Sequence, residues 1–212
     1  MPRRNRVDPF GDLFAVGARG LFTGNRGCLV NHEEKIVRHH GTTLWIICKI
    51  EFRGWRWPLA RPKRWTPIFF LDDAVALAAG HRPCSLCRRE DYHSYRNAIS
   101  QTISRRTPLL AKEINARLGE ERLGRGRGLT RAPDRLLWST PFSELPDGSV
   151  ILDENGDTQL IFSGVLLRFN FDGWHSPLDK PKQGMATVLT PPTSIAALRH
   201  GYIPTLHPST RE

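Results

Sequence analysis

The clearest chemical signal in this sequence is a pair of cysteines, Cys84 and Cys87, which are separated by two residues and follow Gly80 and Pro83. Two thiols at this spacing after a glycine turn are typical of one half of a tetrahedral zinc site. A thioredoxin-type redox pair is the rival interpretation. That motif follows a strand and opens a helix, however, whereas here a short helix is predicted before the pair. Unliganded structural thiols are the remaining alternative. We therefore predict that Cys84 and Cys87 bind Zn²⁺.

A closed zinc site needs two further ligands, which must come from more distant parts of the chain. Cys48 is the best third ligand, because it lies in a predicted strand that can face the cysteine pair. Cys28 is the leading fourth candidate, since it is the one other thiol and it follows turn dipeptides at Gly24 and Gly27. Its alternative role is that of a small buried hydrophobic residue. The histidines that compete with it as fourth ligand are His32, His39, His40 and His81.

The stretch over residues 69–87 resembles the zinc-binding module at the N-terminus of the Ada adaptive-response DNA-repair proteins. An aromatic residue, an alanine-rich segment and Gly-x-Arg-Pro-Cys-x2-Cys follow one another, with His81 at a position that is aromatic in that family. The resemblance implies zinc and a double-stranded DNA context. That family draws two thiolates from a Cys-x3-Cys pair, whereas Leu44 and Phe52 flank Cys48 here, so methyl-phosphotriester acceptance by Cys48 is not expected. The matching residues are Phe69, Phe70, Ala74, Ala76, Ala78, Ala79, Gly80, Arg82, Pro83, Cys84 and Cys87.

A second resemblance rests on three short sequence blocks that are spread along the whole chain. The chain is similar to a set of bacterial proteins that share Gly-Asn-Arg-Gly, Gly-His-Arg-Pro-Cys-x2-Cys and Leu-Thr-Pro-Pro blocks. This second resemblance implies no particular activity.

The positive charge of the chain is concentrated in its first two-thirds. Residues 1–135 contain 26 Lys and Arg against 13 Asp and Glu, residues 136–212 contain 5 against 8, and the formal net charge is +10. This imbalance predicts an anionic partner, and nucleic acid, DNA in particular, is favoured over a merely solvated basic face. Trp55 and Trp57 are candidates for stacking on exposed bases, although packing is their more ordinary role. The residues predicted to face phosphates are Arg53, Arg56, Arg61, Lys63, Arg64, Arg82, Arg88 and Arg89.

Periodicity and turn residues predict an α+β protein. Strands at Thr42–Phe52 and Trp65–Phe70 form a predicted hairpin over residues 44–70, which zinc staples to the helices that follow. Asp72 is expected to cap a short helix, and Gly80 to end it in the left-handed conformation. The other helices predicted in this part are Arg88–Ser104 and one that Thr107 caps and Gly119 ends.

The last third of the chain is predicted to be rich in β-structure. Asn155-Gly156 between two β-prone runs is a strong hairpin signal, and it predicts a small antiparallel meander over residues 145–171. Met185–Leu189 is a candidate fourth strand, and a capped helix is expected over residues 190–201. The predicted parts are a basic N-terminal arm (1–20), a zinc-binding basic α+β domain (21–119), an Arg/Gly-rich linker (120–135) and a β-rich C-terminal subdomain (136–212).

The leading functional prediction is a zinc-stabilised DNA-binding protein, with DNA repair or regulation as its context. One alternative is a metal-dependent nuclease of the zinc-stabilised ββα-metal type, which uses a histidine base and a nearby Asn or His on a catalytic cation. Another is a non-catalytic, zinc-stapled protein-interaction module. Solvated polar residues are the ordinary interpretation of the nuclease candidates, which are His39, His40, Asn25, Asn31, His81, Arg82 and the i, i+4 pair His93 and Asn97.

Several classes of protein are not expected. The chain has no run of 18 or more apolar residues, and no apolar segment follows its basic N-terminus, so neither a membrane span nor a secretory signal is predicted. Four cysteines in 212 residues do not make a disulfide scaffold. A cytoplasmic location without a membrane partner is therefore the expectation.

Overall fold

The computed structural model describes residues 2–56, 58–59, 61–103 and 107–211, which form two six-stranded sheets with helices between and around them. This is the mixed α and β architecture that the sequence predicts. The helices are α1 (Asp73–Ala78), α2 (Arg89–Ser100), α3 (Ala111–Arg122) and α4 (Pro192–Arg199). The strands of the first sheet are β1 (Arg6–Val7), β2 (Leu13–Phe14), β3 (Phe22–Asn25), β4 (Ile46–Lys49), β5 (Ile68–Phe70) and β6 (Arg82–Pro83).

The first sheet has the strand order β2-β1-β5-β3-β4-β6, so β3 lies between β4 and β5. Both neighbours pair with β3 in antiparallel fashion. The predicted hairpin over residues 44–70 is therefore wrong: its two strands exist but do not pair with each other. Residues of the predicted N-terminal arm supply β1 and β2, which extend the same sheet beside β5.

The segment before the cysteine pair folds as the sequence predicts. Asp72 is the N-cap of α1, and its carboxylate accepts a hydrogen bond from the backbone N–H of Val75 at 3.0 Å. Gly80 has a φ of +82°, the left-handed conformation that ends the helix without a Cβ clash. The chain then forms β6, which pairs in parallel with β4, and this pairing brings the residues after Pro83 beside Cys48.

Some helix boundaries differ from the prediction. α3 begins after Leu110 rather than at Thr107, because the Glu113 carboxylate accepts the Leu110 backbone N–H at 2.7 Å and closes the first turn there. The same helix continues past Gly119 to Arg122. The preceding helix ends at Ser100, earlier than the predicted end at Ser104, which lies outside the described residues.

The second sheet contains the predicted meander. The strands of the sheet are β7 (Trp138–Pro141), β8 (Val150–Leu152), β9 (Thr158–Phe162), β10 (Val165–Asn170), β11 (Gly173–Asp179) and β12 (Met185–Val188). Strands β8, β9 and β10 pair in sequence in antiparallel fashion, and β11 continues the series beyond residue 171. The predicted fourth strand is confirmed as β12, which pairs with β7 and β8.

One hydrophobic cluster joins the two sheets through α1. It includes Phe70 of the first sheet, all the apolar residues of α1, and Leu160 and Trp174 of the second. Polar contacts follow the same route: Trp174 Nε1 donates to Asp72 Oδ2 at 2.7 Å, and Arg135 donates to the carbonyls of Ala78 and Leu189. The division of the chain into four parts stays a prediction. Among the described residues, none of the helices is both long and apolar enough to cross a membrane.

Candidate metal centre and cationic groove

Three of the four predicted zinc ligands come together. The Sγ atoms of Cys48, Cys84 and Cys87 all lie within 4.8 Å of one another, and all three residues are buried. Tetrahedral thiolates on Zn²⁺ lie about 3.8 Å apart, because each Zn–S bond is about 2.3 Å long. Cys48 comes from β4, and the other two come from the turn between β6 and α2. Their arrangement fits a metal ion.

Backbone amides and mutual hydrogen bonds control the charge on these thiols. The N–H of Lys49 donates to Cys87 Sγ, and the N–H of Leu86 donates to Cys84 Sγ, both at 3.4 Å. Hydrogen bonds from Cys48 and Cys87 lower the pKa of the Cys84 thiol, whereas the hydrogen bond to Cys84 raises the pKa of Cys48. One thiolate therefore forms readily and the others keep their protons, until a metal ion replaces those protons.

The structure does not bring Cys28 to this group. Its thiol is half-buried and donates to the Val30 carbonyl at 3.5 Å. The competing histidines do not join the group either: His32 is exposed, whereas His39 and His81 are buried beside Arg26. Over the described ranges, no fourth His, Cys, Asp or Glu completes the site.

Two of the arginines predicted to face phosphates are buried. Arg88 forms a bidentate ion pair with Asp73, with N···O distances of 2.5 and 2.8 Å. Arg82 donates to Asn115 Oδ1 and to the Pro83 carbonyl, both at 2.8 Å. These guanidiniums hold the fold together and are not available to a phosphate. The predicted residues that are exposed are Arg53, Arg56, Arg61, Lys63, Arg64 and Arg89, and Arg56 is paired with Glu51. Trp55 is 69% exposed, and Trp57 lies outside the described residues.

A cationic groove of about 990 Å³ lies on the face formed by α3 and the Arg/Gly-rich loop after it. Lys112 of α3 and Arg125 and Arg127 of the loop are exposed and make no hydrogen bond or ion pair with a described residue. Glu120 is the one acidic residue among the described residues that line it. The other lining residues are His40, Thr43, Trp45, Asn115, Ala116, Gly119, Arg122, Leu123, Gly124, Gly126 and Arg131.

Buried arginines lie beneath this groove. The guanidiniums of Arg26 and Arg122 stack on the ring of Trp45, with distances to its centroid of 4.2 and 3.9 Å. Burial lowers the pKa of both side chains to about 9, with repulsion from Arg135 acting on both and repulsion from Arg122 acting on Arg26, so both are charged at neutral pH. The layer also contains Arg135, with Asp8 and Asp12 as its acidic neighbours. Salt screens these buried charges much less than the exposed ones.

A pair of histidines links this layer to the groove. His39 Nδ1 lies 3.1 Å from His40 Nδ1, and His39 Nε2 lies 2.8 Å from the Gly11 carbonyl. Burial, followed by repulsion from Arg26, lowers the pKa of His39 to about 2 and of His40 to about 4. Both rings are therefore neutral at neutral pH, and His40 lines the groove.

Apart from His40, which was a candidate zinc ligand and nuclease residue, the residues that line the groove were not predicted as site residues. The signal of the groove in the sequence is the run Gly124-Arg125-Gly126-Arg127-Gly128, which is too cationic and too rich in glycine to be packed. Sequence could not show that α3 and the segment before β4 lie beside this loop. No family model, no curated protein and no solved structure matches the chain, so its function has to be argued from these residues.

Proposed function

We propose that the protein binds DNA through the cationic groove, and that Zn²⁺ at the three cysteines holds one wall of that groove in place. The observation that carries this proposal is that one concave surface combines a buried cationic layer with exposed cations that make no hydrogen bond or ion pair to a described residue. Nucleic acid is the polyanion that fits such a surface best, because its nucleotides place phosphate groups at regular intervals. The resemblance to the Ada zinc module supports a DNA partner independently of the groove.

The cysteine site and the groove are mechanically connected. Arg82, two residues before Cys84, donates to Asn115 Oδ1, and Asn115 lines the groove on α3. β6 also holds this segment against β4, which carries Cys48. A metal ion that fixes the three sulfurs would therefore fix the position of Arg82 and, through it, of α3. Removal of the metal is expected to weaken DNA binding without touching any phosphate contact.

The test is retention of duplex DNA in a salt series with three triple variants of equal charge change. Lys112→Ala/Arg125→Ala/Arg127→Ala removes the three exposed cations of the groove. Each lost phosphate contact lowers the log–log salt slope by about 0.9, so this variant should lose up to about 3 in slope and bind at least about tenfold more weakly. The matched control is Arg19→Ala/Lys182→Ala/Arg211→Ala, which changes exposed cations outside the groove.

The third variant, Arg61→Ala/Lys63→Ala/Arg64→Ala, separates the groove from the basic loop that the sequence favoured. If the loop variant loses binding and the groove variant behaves like the control, the contact surface is the loop. Equal retention by all three variants, or binding that ignores salt, would contradict phosphate recognition by either surface and would favour a protein-interaction module.

A metal-dependent nuclease remains a second candidate because His40 lines the groove as a neutral imidazole. A neutral ring can accept a proton from an attacking water, which is the part of a general base. Incubation of plasmid with Mg²⁺ or Mn²⁺ tests this activity. Cleavage that His40→Ala abolishes while retention persists would support it, and an intact plasmid in both metals would exclude it.

A further inference from the structure

The cysteine site offers a metal ion three ligands rather than four. Cys48, Cys84 and Cys87 are its members, and within the part of the chain that the structure describes no other Cys, His, Asp or Glu joins them. The remaining thiol of the chain, Cys28, is directed at the Val30 carbonyl. A structural zinc site is ordinarily closed by four protein ligands, whereas a site with three keeps a position for an external ligand.

The cysteine cluster is separate from the main hydrophobic core. The three cysteines are buried, with 7–9% of their surface exposed. Ser85 and Leu86, which separate Cys84 from Cys87, are both exposed, and Leu86 is 67% exposed. The apolar side chains that pack against the cluster, Ile46 and Phe52, are themselves only half-buried. A small ligand that approaches the sulfurs from this side therefore has surface residues rather than the main core to displace.

The surroundings of the cluster favour a ligand with negative charge. Zn²⁺ with three thiolates would carry a net charge of −1, and a fourth thiolate would make it −2. An anionic fourth ligand therefore needs nearby donors or cations that offset this charge. Two backbone N–H groups already donate to the sulfurs, from Lys49 and Leu86. The buried guanidinium of Arg82 lies within electrostatic range of Cys84 and Cys48. Donors and a cation of this kind offset charge on the sulfurs, and soft thiolates suit a metal that thiolates already hold.

We propose that this is an open three-thiolate metal site whose fourth ligand is the thiolate of a small external thiol, with water in that position when no thiol is present. The inference rests on the metal site of the proposed function but not on DNA binding. When the thiol binds, its S–H proton passes to solvent, its sulfur bonds to the metal, and the metal-bound water leaves. No electron is transferred.

Cobalt substitution of the full chain tests this site. Charge-transfer absorption in the near ultraviolet scales with the number of Co²⁺–thiolate bonds, and the visible bands report four-coordination. Without added thiol we expect an intensity for three bonds, and Cys28→Ser should leave it unchanged. Addition of 2-mercaptoethanol should raise the intensity by about one third, whereas ethylene glycol, which has no thiol, should leave it unchanged. Cys48→Ser should lower it by about one third or abolish binding.

Three results would overturn the inference. One is an intensity for four thiolate bonds before any thiol is added, falling by about a quarter in Cys28→Ser, because Cys28 would then close the site. Another is loss of all cobalt bands on addition of 2-mercaptoethanol, because an open position binds the thiol without releasing the metal. The third is failure of the reduced chain to bind metal, which would also remove zinc from the proposed function while leaving the DNA-retention test of the groove intact.

Discussion

At the scale of single residues, Arg26 illustrates how this chain keeps charge in its interior. Its guanidinium is fully buried; NH1 donates to the Gly11 carbonyl at 2.7 Å, and Nε donates to His81 Nε2 at 3.0 Å. Because His81 accepts at Nε2, its ring is neutral, and burial with repulsion from Arg26 holds its pKa well below the ordinary value. The stacking on Trp45 adds an attraction that needs no counter-ion. The cation therefore remains charged, and its histidine neighbours stay unprotonated.

These neutral histidines predict loss of stability in acid. The pKa of His39 is about 2 in the folded chain against about 6.5 when unfolded, so between these values only the unfolded state binds the proton. The unfolding free energy therefore falls as the pH falls from 6.5, and His39 contributes up to about 3 kcal/mol of that loss by pH 4.5. His39→Gln should show a correspondingly shallower decrease in denaturant unfolding at these two pH values.

The matched control for this measurement is His32→Gln, because His32 is exposed and lies outside the buried layer. Burial raises the pKa of Asp8 to about 7 and of Asp72 to about 6, which strengthens folding as the pH falls. Both aspartates are present in every variant, so their effect cancels in the comparison. Equal pH dependence in His39→Gln and the wild type would show that His39 is protonated in the folded chain.

At the scale of elements, β3 is an inner strand of the first sheet, paired with β5 on one side and β4 on the other. Its central position depends on Gly24, because a Cβ at this residue would lie 2.3 Å from Phe70 Cε2 and 3.2 Å from the Ile46 carbonyl. The Phe70 ring belongs to β5, and Ile46 belongs to β4. Because Gly24 has no side chain, the Phe70 ring of β5 can lie directly over β3 and close to β4.

Gly24→Ala should destabilise the protein by about 1–3 kcal/mol, because the added methyl group displaces a buried aromatic ring. Gly17→Ala is the matched control: nothing lies within 4 Å of a Cβ built there, and its backbone conformation is an ordinary one. We expect the control to change stability by less than about 0.5 kcal/mol. Urea unfolding of both variants measures the difference. Similar values for the two would mean that Phe70 moves aside without cost.

The elements also show which information the sequence holds. The capped helix α1, the turn before Cys84 and the meander β8–β10 were predictable, because a cap, a glycine turn and an Asn-Gly hairpin act over a few residues. The separation of β4 from β5 was not predictable, because β3, formed by the distant residues 22–25, inserts between them. The same limit applies to the site. Cys48 could be assigned to Cys84 and Cys87, but the burial of Arg88 depends on Asp73, which no local pattern identifies as its partner.

At the scale of the whole molecule, α1 and its cap connect the two sheets. Asp72 accepts hydrogen bonds from Val75 in its own helix, from Trp174 in β11 and from the backbone of His207 near the C-terminus. Asp73 accepts from Arg88, from the hydroxyl of Tyr202 and from the backbone of Thr205. Two adjacent carboxylates thus tie the cysteine turn, the second sheet and the C-terminal segment to one helix start. Such shared contacts favour unfolding of the two sheets as one cooperative unit.

Trp174→Phe tests this cooperativity, because it removes the indole N–H that β11 donates to Asp72 while it keeps an aromatic ring in the core. We expect a loss of about 1–3 kcal/mol, since a buried carboxylate oxygen loses one of its donors. The loss should shift the whole denaturation curve, whether it is followed by far-ultraviolet circular dichroism or by the fluorescence of the remaining tryptophans, which include the buried Trp45 just before β4. If the second sheet were an independent domain, the variant would unfold in two separate steps, and the step of the first sheet would stay at its wild-type midpoint.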